Sequence, residues 1–450
     1  MHYSLYQLTW LFILYSFIGW VIGTSSAALR KRKFIDVGAL FGPYCPSYGL
    51  GGVCFAVFLS ELKDQLFFLF LGGVILTFFL SVMTGLILEK IFHRKWWDYS
   101  DKRMQFGGYV SLISVLLWGA VAVVCILFLN PLFTELIALI PELAGIIILF
   151  VICLTMLIDL IGTISGITLV RSRIKRIVLI DDVSESLQKA ADTMGEGLTG
   201  WVLKHLEKAY SGLDRKELVK VRREEKLHRD AEAGKPEIFT RGCSFYKLAW
   251  LFFLGSLLGD IVETIFCYFT MGELMSRSSL VYGPFSIVWG MGCVLLTVIL
   301  YQYRERSDSF IFLFGTFLGG AYEYICSVLA ELVFGTMFWD YSGIPFNLGG
   351  RINLLYCFFW GIAAVVWMKF LYPRLSALIE RIPVKPGKWL TWIMVVFMCF
   401  NMLISSLALY RYNQRQTDSS AETNAYTEFI DTHFPDERME RIYPKAKPAK

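Results

Sequence analysis

Apolar runs of about 20 residues, the length that carries a helix across a ~30 Å hydrocarbon core, recur along most of the chain between short polar loops. They place spans at 6–28, 39–60, 66–91, 108–129 and 143–169, and again at 245–270, 280–302, 309–336, 352–371 and 388–410. The pattern predicts an all-α polytopic membrane protein with about ten transmembrane helices. Residues 1–170 form a first five-span repeat and residues 242–410 a second. Between them, residues 171–241 are strongly polar. There Leu187, Ala190, Ala191 and Met194, then Val202, Leu203, Leu206 and Tyr210, recur at helical spacing, predicting a cytoplasmic linker of amphipathic helices. The tail, 411–450, carries Pro435, Pro444 and Pro448 among mixed charges and reads as polar and largely disordered apart from a short helix.

The two sets of spans carry the same words in the same order. Gly42-Pro43 answers Gly283-Pro284, Trp97-Asp98 answers Trp339-Asp340, and Trp118-Gly119 answers Trp360-Gly361. The spacing drifts only from 240 residues (Trp10 to Trp250) through 241 (Gly42 to Gly283) to 242 (Trp97 to Trp339). Two single-residue shifts over that length mark an internal duplication. The duplication also argues against a cleaved signal peptide: the apolar run Leu8–Val21 has no Lys or Arg before it, and its counterpart Tyr246–Thr264 lies deep in the chain.

Charge bias in the short loops orients each copy. In the first, Lys and Arg follow spans one (Arg30–Lys33), three (Arg94, Lys95, Lys102, Arg103) and five (Arg171, Arg173, Lys175, Arg176). In the second they follow spans two (Arg304, Arg306) and four (Arg374, Arg381, Lys385, Lys388). Five crossings per copy and a linker that stays on one side make the repeats inverted, with the N-terminus outside. The second span of each copy is rich in Gly and Pro, a composition that also suits a re-entrant segment; four crossings per copy would make the copies parallel.

Composition supports insertion and excludes several activities. At 56% hydrophobic and 18% charged residues, the chain has more apolar surface than a soluble fold of this size buries. A dispersed net charge of +5 gives no nucleic-acid footprint. The ten cysteines lack CxxC spacing and read as packed thiols, and the five histidines are scattered, so no metal ligand set is expected. No GxxxxGK[ST] phosphate loop, HExxH or partnered GxSxG occurs. The expectation is a protein that is not an enzyme and carries no cofactor.

The candidate chemistry comes from comparing the copies. Where the second has Glu263, Glu323 and Arg351, the first has Gly23, Ser81 and Tyr109. An ionisable group at the centre of a membrane helix costs roughly 2.5–3.5 kcal/mol on insertion scales, so such groups face partners or watery cavities. Their joint absence predicts one network, in which Arg351 contacts Glu263 or Glu323. Asp260, three residues before Glu263, joins the same helical face. For Glu263 and Glu323 a buried ion-pair staple and a cation, proton or substrate site stay open as readings. Glu89 and Glu331, shared by both copies near helix ends, are expected to be structural. Asp159 with Thr163, and Asn401 with Ser405, share a helical face and read as packing glue. The Trp-Asp-Tyr-Ser words (Trp97, Asp98; Trp339, Asp340) read as interfacial anchors, the Asp capping or ending a helix.

These words, Gly42-Pro-Tyr-Cys-Pro-Ser-Tyr-Gly, Trp96-Trp-Asp-Tyr-Ser and Gly349-Gly-Arg-Ile with Trp360-Gly, resemble the ABC-transporter permease family of the CmpB type, "type IV". In that family a Glu follows the first Gly-Trp, another begins the third-span motif, and Arg follows Gly-Gly. Glu263, Glu323 and Arg351 match; Gly23, Ser81 and Tyr109 depart. The resemblance implies a multi-pass permease of the bacterial cytoplasmic (inner) membrane, with the lipid bilayer as solvent and a small-molecule or ion substrate it does not name. Three functions stay open: a permease whose linker docks a separate ATPase subunit, an ATP-independent ion- or proton-coupled transporter or channel, and a membrane scaffold or assembly factor.

Overall fold

The computed structural model describes residues 3–32, 40, 42–92, 95, 97–102, 104–178, 239–240, 242–272, 274–417, 425–444 and 447–448. It is an all-α polytopic membrane protein in two repeats, with helices where the apolar runs place them. The first repeat contributes α1 (Leu5–Lys31), α2 (Pro46–Leu59), α3 (Leu66–Phe92), α4 (Leu112–Ala138) and α5 (Glu142–Val178). The second contributes α6 (Phe245–Met271), α7 (Ile287–Leu300), α8 (Asp308–Phe334), α9 (Leu354–Glu380) and α10 (Val384–Thr417). Among the described residues eight helices are long and apolar enough to cross a membrane, and α2 and α7 are shorter. Serines at matching positions open the first helix of each repeat: Ser4 Oγ accepts from Gln7 N–H and Ser244 Oγ from Lys247 N–H.

Helices α4 and α9 run past residues 129 and 371, where the apolar pattern alone ends the span. Proline explains both how and where. Pro131 and Pro373 lack an N–H and crowd the carbonyl one turn back, and π-helical turns at Cys125–Leu129 and Trp367–Leu371 widen the spiral just before them. The helix continues instead of breaking.

The second span of each repeat is a broken one. In the second repeat, Ser286 N–H donates to the Ser256 carbonyl at 3.0 Å, halfway along α6, and α7 runs from there to the end where α6 begins. The preceding stretch, 274–286, is non-helical and turns back on itself, Ser279 N–H donating to the Phe285 carbonyl at 2.9 Å. Backbone at that depth has no water to bond, so each polar group needs a protein partner. Val281 N–H donates to Ser405 Oγ at 2.9 Å, Tyr282 N–H to Asn401 Oδ1 at 3.3 Å, and Asn401 Nδ2 returns a bond to the Tyr282 carbonyl at 2.7 Å. Gly283 turns the chain at φ +80°. The first repeat repeats the device: Cys45 N–H donates to the Ser16 carbonyl at 2.8 Å, and Asp159 Oδ2 accepts from Gly42 N–H and Tyr44 Oη, both at 2.8 Å. Asp159 and Asn401 therefore sustain unwound backbone, a narrower task than helix-to-helix glue. Replacing Asn401 with Leu is expected to cost about 1–3 kcal/mol by stranding the Tyr282 peptide. Ser406→Ala, which removes only a bond to its own helix at Met402, should leave a denaturant titration of the purified protein nearly unchanged.

The chain divides into two compact units that do not coincide with the repeats: Val74–His93 and Tyr99–Val115 belong with Glu237–Lys450. Within that second unit, Phe78 of α3 meets Phe314 and Phe317 of α8, with ring centroids 6.1 and 6.2 Å apart. Farther along the first repeat, Phe106 meets Tyr303 and Phe310 at the start of α8. Glu89, near the end of α3, bonds Tyr109, whose neighbour Gly107 lies against the Tyr303 hydroxyl. Position along α3 thus rises as position along α8 falls. The two are equivalent helices of the repeats, and within this unit they pair antiparallel.

The tail differs from its sequence reading. Its described part forms α11 (Ala425–His433) and α12 (Asp436–Ile442), where Ile430, Phe434, Met439 and Tyr443 are buried against Val281, Ala408 and Leu409. Pro435 sits at the N-cap of α12, a position that proline tolerates, and Arg411 and Arg415 of α10 pair with Asp431. Mixed charge here is ion-pairing surface on a folded segment rather than a mark of disorder. The linker helices expected at 171–241 lie outside the described residues beyond Val178 and apart from Phe239 and Thr240.

Candidate functional site

The Trp-Asp-Tyr-Ser word of the second repeat builds a short hairpin. Strands Asn347–Leu348 and Ile352–Asn353 pair antiparallel across Gly349-Gly350, whose φ angles of +60° and +69° only glycine adopts freely. Tyr341 N–H donates to the Gly350 carbonyl at 2.7 Å, Asp340 Oδ1 accepts from Ser342 N–H at 2.9 Å, and Trp339 Nε1 donates to the Arg351 carbonyl at 2.9 Å. Asp340 thus closes a turn, not a helix, and the word clamps the hairpin. The first repeat makes the same hairpin, Gln105–Phe106 with Val110–Ser111, and the same bond from Tyr99 N–H to Gly108.

The clamp aims Tyr341 at Glu323. On α8, Glu323 is 7% exposed; its Oε1 accepts from Tyr341 Oη at 2.7 Å and its Oε2 from Trp360 Nε1 of α9 at 3.1 Å. Across from it, Glu263 of α6 accepts from Arg277 Nε and Nη2 at 2.8 and 2.5 Å and from Trp289 Nε1 of α7 at 3.0 Å. The two indoles stack with centroids 5.3 Å apart, so the carboxylates flank one tryptophan pair. Glycine makes room for it: a Cβ at Gly259 would lie 2.1 Å from the Trp289 side chain, and one at Gly319 2.2 Å from that of Trp360.

These groups line a cavity of about 650 Å³ in the second repeat, bounded by α6, the non-helical stretch before α7, α7, α8, α9, α10 and the tail. Its walls are apolar and aromatic, with Glu263, Glu323 and Arg277 as its charged members. Asp260, 5% exposed and one turn from Glu263, leaves its Oδ1 without a hydrogen-bond partner among the described residues. Gly283 and Pro284 turn the chain that forms one wall.

Arg351 does not join this cavity as expected. Its guanidinium donates to Ser327 Oγ at 3.2 Å and pairs with Glu331, two helical turns beyond Glu323 toward the hairpin. At the corresponding positions of the first repeat, Tyr109 donates to Glu89. The shared acid thus keeps a hydrogen-bonded partner in each copy, and the Arg-to-Tyr exchange is independent of the loss of Glu263 and Glu323. In the first copy Tyr48 and Trp118 stand for the tryptophan pair, tilted by 57°, with Gly23 and Ser81 where the acids would be.

The acids stand out in the sequence as charges within apolar runs, whereas Arg277, Trp289, Trp360 and Tyr341 carry no such mark of a site. Trp360 and Tyr341 were visible only as repeat words. Arg277 had one usable signal, a basic residue just ahead of the Gly-Pro break, within reach of an intramembrane Glu.

A family model described as "Putative ABC-transporter type IV" matches residues 10–164 and 250–406, one match per repeat. No curated protein and no solved structure matched the chain.

Proposed function

The chain belongs to the ABC-transporter type IV family of the CmpB type, and from that premise we propose that it is the membrane-spanning permease of an ABC-type transporter. The observation that carries this reading is the second-repeat cavity, built where a broken span meets the buried Glu323 and the half-buried Glu263. Unwound backbone and half-helix ends at mid-depth are what transporters use to meet polar cargo inside the bilayer. The permease performs no catalysis itself. With no phosphate loop in the sequence, ATP hydrolysis falls to a separate ATPase subunit, docked on the 171–241 linker at the cytoplasmic face. The N-terminus then lies outside the cytoplasmic (inner) membrane of a bacterium.

Purification of the tagged chain from its native membranes tests this. An ATPase is expected to co-purify and to be lost when 177–235 is deleted; its absence from the intact chain overturns the proposal. The buried acids support a second reading, uptake coupled to a cation or proton gradient without ATP. That reading requires gradient-driven uptake in liposomes holding this chain alone, abolished by Glu323→Gln.

A further inference from the structure

The charge balance and wall chemistry of the cavity point to one class of cargo. We propose that it binds an amphiphilic organic cation, a protonated or quaternary nitrogen on a bulky apolar body. The inference rests on reading this cavity as the substrate site.

Three observations carry it. The first is an unbalanced charge. Glu263 is neutralised by Arg277, whereas among the described residues Glu323 is held by Tyr341 and Trp360, two neutral donors that fix a carboxylate without cancelling it. Asp260, one turn from Glu263, adds a further buried acid whose Oδ1 has no hydrogen-bond partner among the described residues. A buried carboxylate without a counter-charge is costly, and a cationic ligand supplies what the protein leaves out.

The second is the aromatic surface around Glu323. The Trp289–Trp360 stack lies on one side and the Tyr341–Tyr356 stack, with centroids 4.7 Å apart, on the other. Ring faces attract cations whose charge is spread over an apolar body, at about 0.5–2 kcal/mol each. A small hydrated metal ion would gain little from these walls, and an anion would face two lining carboxylates against one guanidinium.

The third is access. Val262, Phe266, Leu329 and Val333 line the cavity and are also among the exposed large hydrophobics of α6 and α8. A side of the cavity built from such residues opens toward lipid, so a molecule already partitioned into the bilayer reaches it without crossing water.

Tetraphenylphosphonium and tetraphenylborate have nearly the same size and shape and opposite charge, which makes them a direct probe. The full chain in lipid nanodiscs is expected to bind the phosphonium saturably, above empty nanodiscs, and not the borate. Glu323→Gln should weaken phosphonium binding roughly tenfold or more, the loss of one buried charge contact. Tyr356→Leu, which removes a ring face at a half-buried position, should weaken it several-fold. Equal binding of both ions, or phosphonium binding indifferent to Glu323→Gln in a variant that elutes like the parent, overturns the proposal. Should Glu323→Gln fail to fold, the comparison of the two ions in the unaltered chain and Tyr356→Leu still decide. The assay needs no ATPase and no transport. Phosphonium binding without any ATPase partner keeps the cation site and removes the ATP-driven reading, while ATP-driven transport without phosphonium binding removes the cation site alone.

Discussion

Gly290→Val is expected to cost about 3 kcal/mol or more, and to show as loss of monodisperse protein on size exclusion and a lower midpoint in denaturant titration. Helices α6 and α7 approach so closely that a Cβ at position 290 would lie 2.0 Å from Ser256 Oγ and 2.8 Å from the Phe252 carbonyl. A hydroxyl can rotate away, but a backbone carbonyl inside a helix cannot. The helices must then separate, and Trp289, the next residue, moves with α7 away from Glu263. The effect should therefore reach the cavity, lowering any ligand binding in whatever fraction still folds. The equivalent Gly49 meets Ser16 Oγ at 2.1 Å and the Phe12 carbonyl at 2.4 Å, so Gly49→Val should behave alike. Gly51, on the same short helix with nothing within 4 Å, provides the control: Gly51→Ala should be neutral or stabilise by roughly 0.5–1 kcal/mol through helix propensity.

Much of this arrangement could be read from the chain, for identifiable reasons. Ten apolar runs, their duplication and their inverted charge bias are collective signals spread over hundreds of residues, and local context rarely overrides them. The Gly-Pro words at 42 and 283 correctly marked the second spans as unusual. Composition could not tell a re-entrant loop from a segment that is half non-helical turn and half short helix. That difference rests on single hydrogen bonds from Asn401 and Asp159, more than a hundred residues away. The site acids were legible because a charge within an apolar run stands out. Their partners were not, because Trp289, Trp360 and Tyr341 are unremarkable in a chain that is 16% aromatic. The tail was misread because charge and proline resemble disorder until Ile430, Phe434 and Met439 find an apolar surface on α10.

Replacing Arg351 separates a structural role from a functional one, and two substitutions there should give very different results. Arg351→Met removes the guanidinium and leaves Glu331 as a carboxylate without its ion-pair partner beside α8. Breaking a buried pair in this way costs about 3–5 kcal/mol, less where the surviving acid can reach water, and Glu331 is 26% exposed. A loss near the lower end of that range is expected. Arg351→Tyr installs what the first repeat already has at this place, where Tyr109, 2% exposed, donates to Glu89 and packs against Gly85. A phenol gives the acid a donor without a second charge, so Arg351→Tyr should retain most of the stability that Arg351→Met loses. Phosphonium binding provides the second readout. Arg351 lies toward the hairpin and pairs with Glu331 rather than Glu323, so affinity should survive Arg351→Tyr within about twofold. A tenfold loss in a stably folded Arg351→Tyr protein would instead place the guanidinium in the cavity's electrostatics, restoring the single network of charges that the repeat comparison first suggested.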